Sequence, residues 1–257
     1  VQKILLVGLG KMGGALLTGW AKNTSYIIST LDPQNSDADY QSASDITAQF
    51  DIVVLAVKPQ IMNDVAISLK HIISPQTLII SIAAGKTIGF FEDIFGLFLP
   101  LIRSMPNTPA LIAQGMTVLC GNKSVTDTHK KIAHDLFSAV GLCEWIDNEE
   151  LMDAVTAVSG SGPAYVFHLI ETMTAAGIDA GLPAPLAEKL ARQTVIGSAS
   201  LADAEKNTSA TTLRENVTSK GGTTEAALNI LMANDGLKNL MTHAILAAQK
   251  RGKELAT

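Results

Sequence analysis

Short apolar runs alternate with mixed, helix-like stretches over the first part of the chain. The runs cover residues 3–7, 26–30, 51–57, 77–82, 101–104, 116–120 and 142–146. Most are apolar at successive positions rather than alternate ones, which is the pattern of strands covered on both faces. Strand-like and helix-like segments in this order predict βαβ units, and therefore a mostly parallel, doubly wound sheet with helices on both sides.

From about Asn148 the texture changes to Ala, Leu, Met, Glu and Lys punctuated by Gly or Pro, with no further β-branched run of strand length. This half reads as helices over residues 149–159, 163–176, 183–205, 211–218 and 224 to the C-terminus. The breaks are expected at Gly160-Ser161-Gly162-Pro163, Gly181-Leu182-Pro183 and Lys220-Gly221-Gly222. The middle helices are so rich in Ala, Thr and Met that they need cover on more than one face, which predicts packing against a second copy as a homodimer. No internal repeat or low-complexity segment interrupts this division.

Composition narrows the class. The 257 residues have room for two modest domains, and 47% hydrophobic against 17% charged residues is the balance of an ordered globular chain. A net charge of −5 with scattered basic residues offers no stripe for a phosphate backbone, so no nucleic acid partner is expected. The apolar runs are short and the first residues lead straight into a strand without a signal-peptide flank; no membrane partner and a cytoplasmic setting are expected. Cys120 and Cys143 lack metal or redox spacing and lie in apolar runs, so they read as buried free thiols, and no metal site is expected.

The first strand run ends in Gly8-Leu9-Gly10-Lys11-Met12-Gly13, and residues 14–22 that follow have helical character. The first glycine permits a tight turn, the second lets backbone approach a pyrophosphate, and the third allows close helix packing. Strand, motif and helix in this order predict a Rossmann-like dinucleotide-binding domain over residues 1–148, ahead of an all-α domain over residues 149–257. The second run ends at Thr30-Leu31-Asp32-Pro33, where an acidic side chain can bond a ribose hydroxyl. Asp32 could equally be a turn residue, and Ser29, Thr30 and Gln34 could accept a 2′-phosphate, so NAD(H) and NADP(H) both stay open. Ala56-Val57-Lys58-Pro59 and Ala83-Ala84-Gly85 close two later strands and are expected to line the same crevice, since ligands lie outside the carboxyl ends of strands in open α/β sheets.

Three further segments stand out: Arg103-Ser104-Met105-Pro106-Asn107-Thr108-Pro109-Ala110, Ser159-Gly160-Ser161-Gly162-Pro163-Ala164-Tyr165, and residues 217–226, which contain Ser219-Lys220-Gly221-Gly222-Thr223-Thr224. With the glycine motif and the two strand-end loops, they resemble in order the signatures of the pyrroline-5-carboxylate reductase family along almost the whole chain. The last segment would offer backbone N–H groups and hydroxyls at a helix start, which suits a small carboxylate. A helix cap with a glycine turn reads the same residues without a ligand. The resemblance implies that Ser219, Gly221, Gly222, Thr223 and Thr224 hold the substrate carboxylate. It also implies that the Thr224 hydroxyl stands near the ring nitrogen as the catalytic group, and that Asn216 contacts the cofactor. The chain departs from the family at Lys220, where many relatives have Pro, and at Ser209 and Ala210, where many have a His-Pro pair. The second departure leaves an acidic group at the substrate amine unassigned between Asn207 and Glu205.

The reaction this implies is NAD(P)H-dependent reduction of 1-pyrroline-5-carboxylate to L-proline. A protonated cyclic imine needs mainly to be positioned, which agrees with the lack of an obvious His/Asp pair. His71, His129, His134 and His243 are expected away from the motifs, and His168 in a structural role. Two other readings compete: a β-hydroxyacid dehydrogenase-like oxidoreductase, which would need a helix lysine as base between residues 163 and 205, and a non-enzymatic NAD(P)-binding regulator. For the imine reduction the glycine loop and the Ser219–Thr224 loop must come within reach of each other, which pairing of two copies would achieve.

Overall fold

The computed structural model describes residues 1–21 and 24–255. Lys22, expected at the end of the first helix, and Ala256 and Thr257, expected to close the helical domain, lie outside the described residues. The chain divides into two compact units, Val1–Ser161 with the stretch from Ala248 onward, and Gly162–Ala247.

Among the described residues of the first unit, seven strands form one sheet: β1 (Gln2–Val7), β2 (Tyr26–Leu31), β3 (Ile52–Leu55), β4 (Leu78–Ser81), β5 (Leu101–Met105), β6 (Gly115–Gly121) and β7 (Gly141–Trp145). Each matches an apolar run of the sequence, and the spatial order is β2-β1-β3-β4-β5-β6-β7. All neighbouring pairs are parallel except β5 and β6, where Arg103 faces Cys120 in antiparallel register. Residues 106–114 connect those two strands, too short a link for the crossover of about a dozen residues that parallel pairing needs.

The continuous apolar runs are explained by burial on both faces. Ile4, Leu6, Ile52, Val54, Leu78, Ile80 and Ile102 point into one core, while the alternating Leu5, Val7, Val53, Leu55, Ile79 and Leu101 point into the other. Helix α1 (Lys11–Trp20) covers the first face with Ala15, Leu16 and Trp20, and the Trp20 indole N–H donates to the Leu136 carbonyl at 2.8 Å. The second face is closed by α2 (Met62–Ser68) and α3 (Ile88–Phe95), through Met62 and Phe91. Helix α4 (Asp127–Ser138) opens on a capping box at Thr126 and His129 and buries Ala133, Leu136 and Phe137 on the first face.

After β7 the chain becomes helical. Helix α5 (Met152–Val155) continues into a π-helical turn, Thr156–Gly160, and then into α6 (Gly162–Asp179). The break expected at Gly160–Pro163 falls at Ser161, a bend after which α6 starts anew, and Pro163 sits in the first turn of α6, where a missing N–H costs nothing. In the second unit α6 packs on α7 (Ala184–Ala204) across the turn at Gly181, whose φ of +97° suits glycine. Helices α8 (Ala210–Asn216) and α9 (Thr223–Leu231) follow. The expected single helix from Thr224 to the end is in fact α9 and α10 (Leu237–Leu255), parted at Asn234-Asp235-Gly236. A side chain at Gly236 would meet the Leu231 carbonyl oxygen at 2.4 Å, so only glycine closes this turn.

Candidate active site

A cleft of about 910 Å³ opens at the carboxyl ends of β1, β2 and β3. The chain leaves β1 for β2 on one side and crosses to β3 on the other, so the cleft sits at the topological switch point of the sheet. Gly8 and Gly10 line it on one side, Leu31 to Gln34 at the end of β2, and Ala56, Val57 and Lys58 after β3.

The three motif glycines have three different reasons to be glycine. Gly8 holds φ at +98°, and a Cβ there would lie 2.8 Å from the Ala56 carbonyl oxygen. At Gly13 a Cβ would lie 2.0 Å from the Gly8 carbonyl oxygen, the close approach of helix to strand. Gly10 has nothing within 4 Å of its Cβ position; the space left there is the cleft itself. Gly10 also caps α1, whose first turn has no side-chain cap and no acidic residue, so its N–H groups and positive dipole end stay available to an anion. These features fit a dinucleotide pyrophosphate: a cradle that a side chain would fill, facing an uncapped helix start.

Leu9, Lys11 and Met12 belong to the same turn without lining the cleft. The Leu9 N–H donates to Asp32 Oδ2 at 2.7 Å, and the Gln34 N–H donates to Asp32 Oδ1 at 2.8 Å. Asp32 is thus a turn residue, and its side chain also lines the cleft. Thr30 has no free hydroxyl for a phosphate: it is 5% exposed, and its Oγ1 donates to Asp39 Oδ2 at 2.9 Å. Pro59 opens a 3₁₀ turn, Pro59–Ile61, below Lys58. Ala83 and Ala84 follow β4 outside the residues that line this cleft, and the Cβ position of Gly85, at φ +73°, faces the Leu255 carbonyl oxygen at 3.2 Å.

Sequence reasoning missed the far wall of the cleft. Gln41, Ser42, Ala43 and Ser44 line it, brought in by a bridge between Leu31 and Tyr40. The Ser42-x-x-Asp45 pattern was a legible helix-start signal, and Ser42 does accept the Ser44 N–H. His71, expected away from the motifs, also lines the cleft, its ring nitrogens 2.9 Å from the Ser68 carbonyl and 3.3 Å from that of Ile46. His168 is exposed and paired with Glu171 at 3.0 Å.

The rigid turn after β5 serves as a clasp. Asn107 Oδ1 accepts the Met116 N–H at 2.8 Å, and its Nδ2 donates to the Ser159 hydroxyl at 3.2 Å and carbonyl at 3.3 Å. A Cβ at Gly160 would strike the Met105 methyl at 2.4 Å. Beneath this turn the buried Arg103 pairs with Glu149 at 2.9 Å, and with Asp153 at 3.7 Å.

In the second unit, Ser219 to Thr224 form the entry to α9. Gly221 has φ +73°, the Gly222 N–H donates to the Ser219 carbonyl at 3.0 Å, and no side chain caps the helix at Gly222. Thr223 and Thr224 therefore stand in the first turn of α9 with Ser219 opposite Gly222, the Ser219 Oγ only 2.9 Å from where a Gly222 Cβ would be. Asn216 is the last residue of α8 and is exposed. The loop already holds one carboxylate: the Gly221 N–H donates to Glu225 Oε2 at 2.7 Å.

Fold and cleft define a protein of the dinucleotide-binding α/β class with a helical second part. Comparison with known proteins narrows this. Residues 149–255 match the family model described as pyrroline-5-carboxylate reductase dimerisation, and residues 3–85 match the one described as NADP oxidoreductase, coenzyme F420-dependent. The pyrroline-5-carboxylate reductase of Pseudomonas aeruginosa is 45% identical over 216 residues, 84% of this chain and 78% of that protein. Among solved structures, the Coxiella burnetii pyrroline-5-carboxylate reductase superposes with a TM-score of 0.91 at 34% identity, covering 100% of this chain and 99% of the other. The Plasmodium falciparum pyrroline carboxylate reductase, solved with NADP bound, gives 0.85 at 34% identity, covering 100% and 98%. The chain belongs to the pyrroline-5-carboxylate reductase family.

Proposed function

We propose that this chain reduces the C=N bond of 1-pyrroline-5-carboxylate to L-proline with NADPH or NADH, the closing step of proline biosynthesis. The observation that carries the reading is the Gly8–Gly13 cradle at the switch point, with open space only at Gly10, in a chain of this family. Residues 1–148 hold the dinucleotide through Gly8 to Gly13, Ala56 to Pro59 and the Ala83–Gly85 loop, and Asn216 adds a contact from the helical part. Residues 149–257 bind the substrate and dimerise.

A bound nicotinamide supplies hydride to the imine carbon. The protein's own part is to place the ring. Ser219, Gly221, Gly222 and Thr223 hold its carboxylate at the N-terminus of α9, where free N–H groups and the helix dipole favour an anion. The Thr224 hydroxyl stands at the ring nitrogen and orients it. Because a cyclic imine can enter already protonated, positioning rather than acid catalysis carries the rate.

The dimer is supported by the apolar side chains that the second unit leaves open, among them Phe167 on α6 at 61% exposure and Leu240 on α10 at 64%. The net charge of −5 disfavours a nucleic acid partner, and a cytoplasmic setting without a membrane partner completes the reading. Among the described residues no helix is long and apolar enough to cross a membrane.

The test is purified protein mixed with pyrroline-5-carboxylate and each reduced nicotinamide, read as dinucleotide oxidation with matching proline. Oxidation of a hydroxyacid instead would make it a hydroxyacid dehydrogenase, and dinucleotide binding without turnover would make it a regulator.

A further inference from the structure

We propose that Asp32 makes the cleft select the dinucleotide with a free ribose 2′-hydroxyl, NADH, over the one that carries a 2′-phosphate, NADPH. The inference rests on the reading of this cleft as a dinucleotide site.

Asp32 directly follows β2 beside the glycine loop, the place where an acidic side chain in this fold class bonds the ribose 2′-hydroxyl. Its carboxylate is not free to turn away. One oxygen is held by the Leu9 N–H at 2.7 Å and the other by the Gln34 N–H at 2.8 Å, so the group is tied to the glycine loop and to the turn after β2 together. A carboxylate oxygen has a second lone pair, so each can still accept a hydroxyl proton. A phosphate in the same place would bring roughly −1.5 to −2 charges against a carboxylate that backbone keeps in position.

The polar groups around it do not offset that repulsion. The Thr30 backbone N–H and hydroxyl are both given to Asp39, at 2.8 and 2.9 Å, so a second carboxylate holds the end of β2. Gln41 donates its amide to the Ala38 carbonyl at 2.8 Å, and the hydroxyls of Ser42 and Ser44 bond each other at 2.7 Å. No arginine lines the cleft among the described residues, and Lys58, which follows β3, is the one lysine that does. The basic side chains of the lining are Lys58 and His71, with no guanidinium fork to grip a 2′-phosphate, and Asp32 is its carboxylate.

The test is binding, measured by titration calorimetry or by the fluorescence of the reduced nicotinamide, without substrate. Wild-type protein is expected to bind NADH about tenfold or more tightly than NADPH. Asp32→Asn, which removes the charge and keeps the size, is expected to close most of that gap. Equal or tighter binding of NADPH by the wild type overturns the proposal but leaves the cleft a dinucleotide site, whereas failure of both dinucleotides to bind overturns the underlying reading as well. An unchanged ratio in folded Asp32→Asn also overturns the role of Asp32. AMP against adenosine 2′,5′-bisphosphate on the wild type repeats the comparison without a variant: tighter AMP binding supports the proposal and the reverse overturns it.

Discussion

The carboxylate of Glu225, in the first turn of α9, accepts the Gly221 N–H at 2.7 Å, directly beside the residues proposed to hold the substrate carboxylate. Substrate and Glu225 would then compete for the same donors as like charges. Glu225→Gln is expected to lower the Michaelis constant for pyrroline-5-carboxylate several-fold at neutral pH. It should also cost about 0.3–1 kcal/mol of stability through loss of a negative charge in the first turn of a helix. Steady-state kinetics with a melting curve decide this, and a raised Michaelis constant would mean that Glu225 assists the substrate.

The hydroxyl of Thr224 is the one side-chain group assigned a place at the reacting nitrogen. Thr224→Ala is expected to raise the Michaelis constant and lower turnover while dinucleotide affinity stays near wild type. Wild-type kinetics in that variant would remove Thr224 from the mechanism.

Gly10 and Gly13 should separate binding from folding. Gly10→Ala places a methyl in open space, so the melting temperature should stay within a few degrees while dinucleotide affinity falls about tenfold or more. Gly13→Ala drives its methyl to 2.0 Å from the Gly8 carbonyl oxygen, and overpacking of this kind costs roughly 1–3 kcal/mol or more before any ligand is added. Calorimetric melting of both variants, with and without dinucleotide, checks the contrast; equal destabilisation would defeat it.

Arg103 is 5% exposed and answers both Glu149 and Asp153, and Glu149 Oε1 also accepts the Ile88 N–H at 2.8 Å. Arg103→Met leaves two largely buried carboxylates without their cation, and a loss of roughly 3–5 kcal/mol is expected. Glu149→Gln keeps an acceptor for the Ile88 N–H and should cost less. Urea unfolding midpoints rank the two, and a loss below about 1 kcal/mol for Arg103→Met would show that the cluster is not a structural anchor.

Cys143 is a free buried thiol that desolvation, aided by the Glu144 charge, pushes up to about 12. Cys120 is raised in the same direction, chiefly by burial and then by Glu149. Both should stay protonated and unreactive toward a thiol reagent at pH 8 in the folded protein and react once it is unfolded. For Cys143 the folded value lies above the ordinary 9.0, so the unfolded chain releases its proton first. Its contribution to stability is complete below pH 9 and falls as pH rises from there toward 12. Fast labelling of the native protein at pH 8 would contradict the burial.

Much of the first unit was readable from local pattern. Ile4 to Val7 is apolar at every position because alternate side chains enter two different cores, and the same holds for Ile52 to Leu55. The glycine loop was legible because each glycine answers a backbone demand that the neighbouring strand and helix create. Helix ends were read less well. The break ahead of Pro163 was legible, because proline suits a first turn, but Asn234-Asp235-Gly236 was passed over inside a long helical composition.

By itself, then, the amino-acid order determined the strands, the pyrophosphate cradle, the change to helices near Asn148 and the kinship of the chain, because each depends on neighbours or on short motifs. Only the tertiary structure decided that Asp32 clamps Leu9, that Asp39 consumes the Thr30 hydroxyl, and that Ser42 and His71 wall the cleft. Those relations join residues 9 to about 60 positions apart through side chains whose direction depends on how the sheet and its connections pack, and no local periodicity encodes that direction.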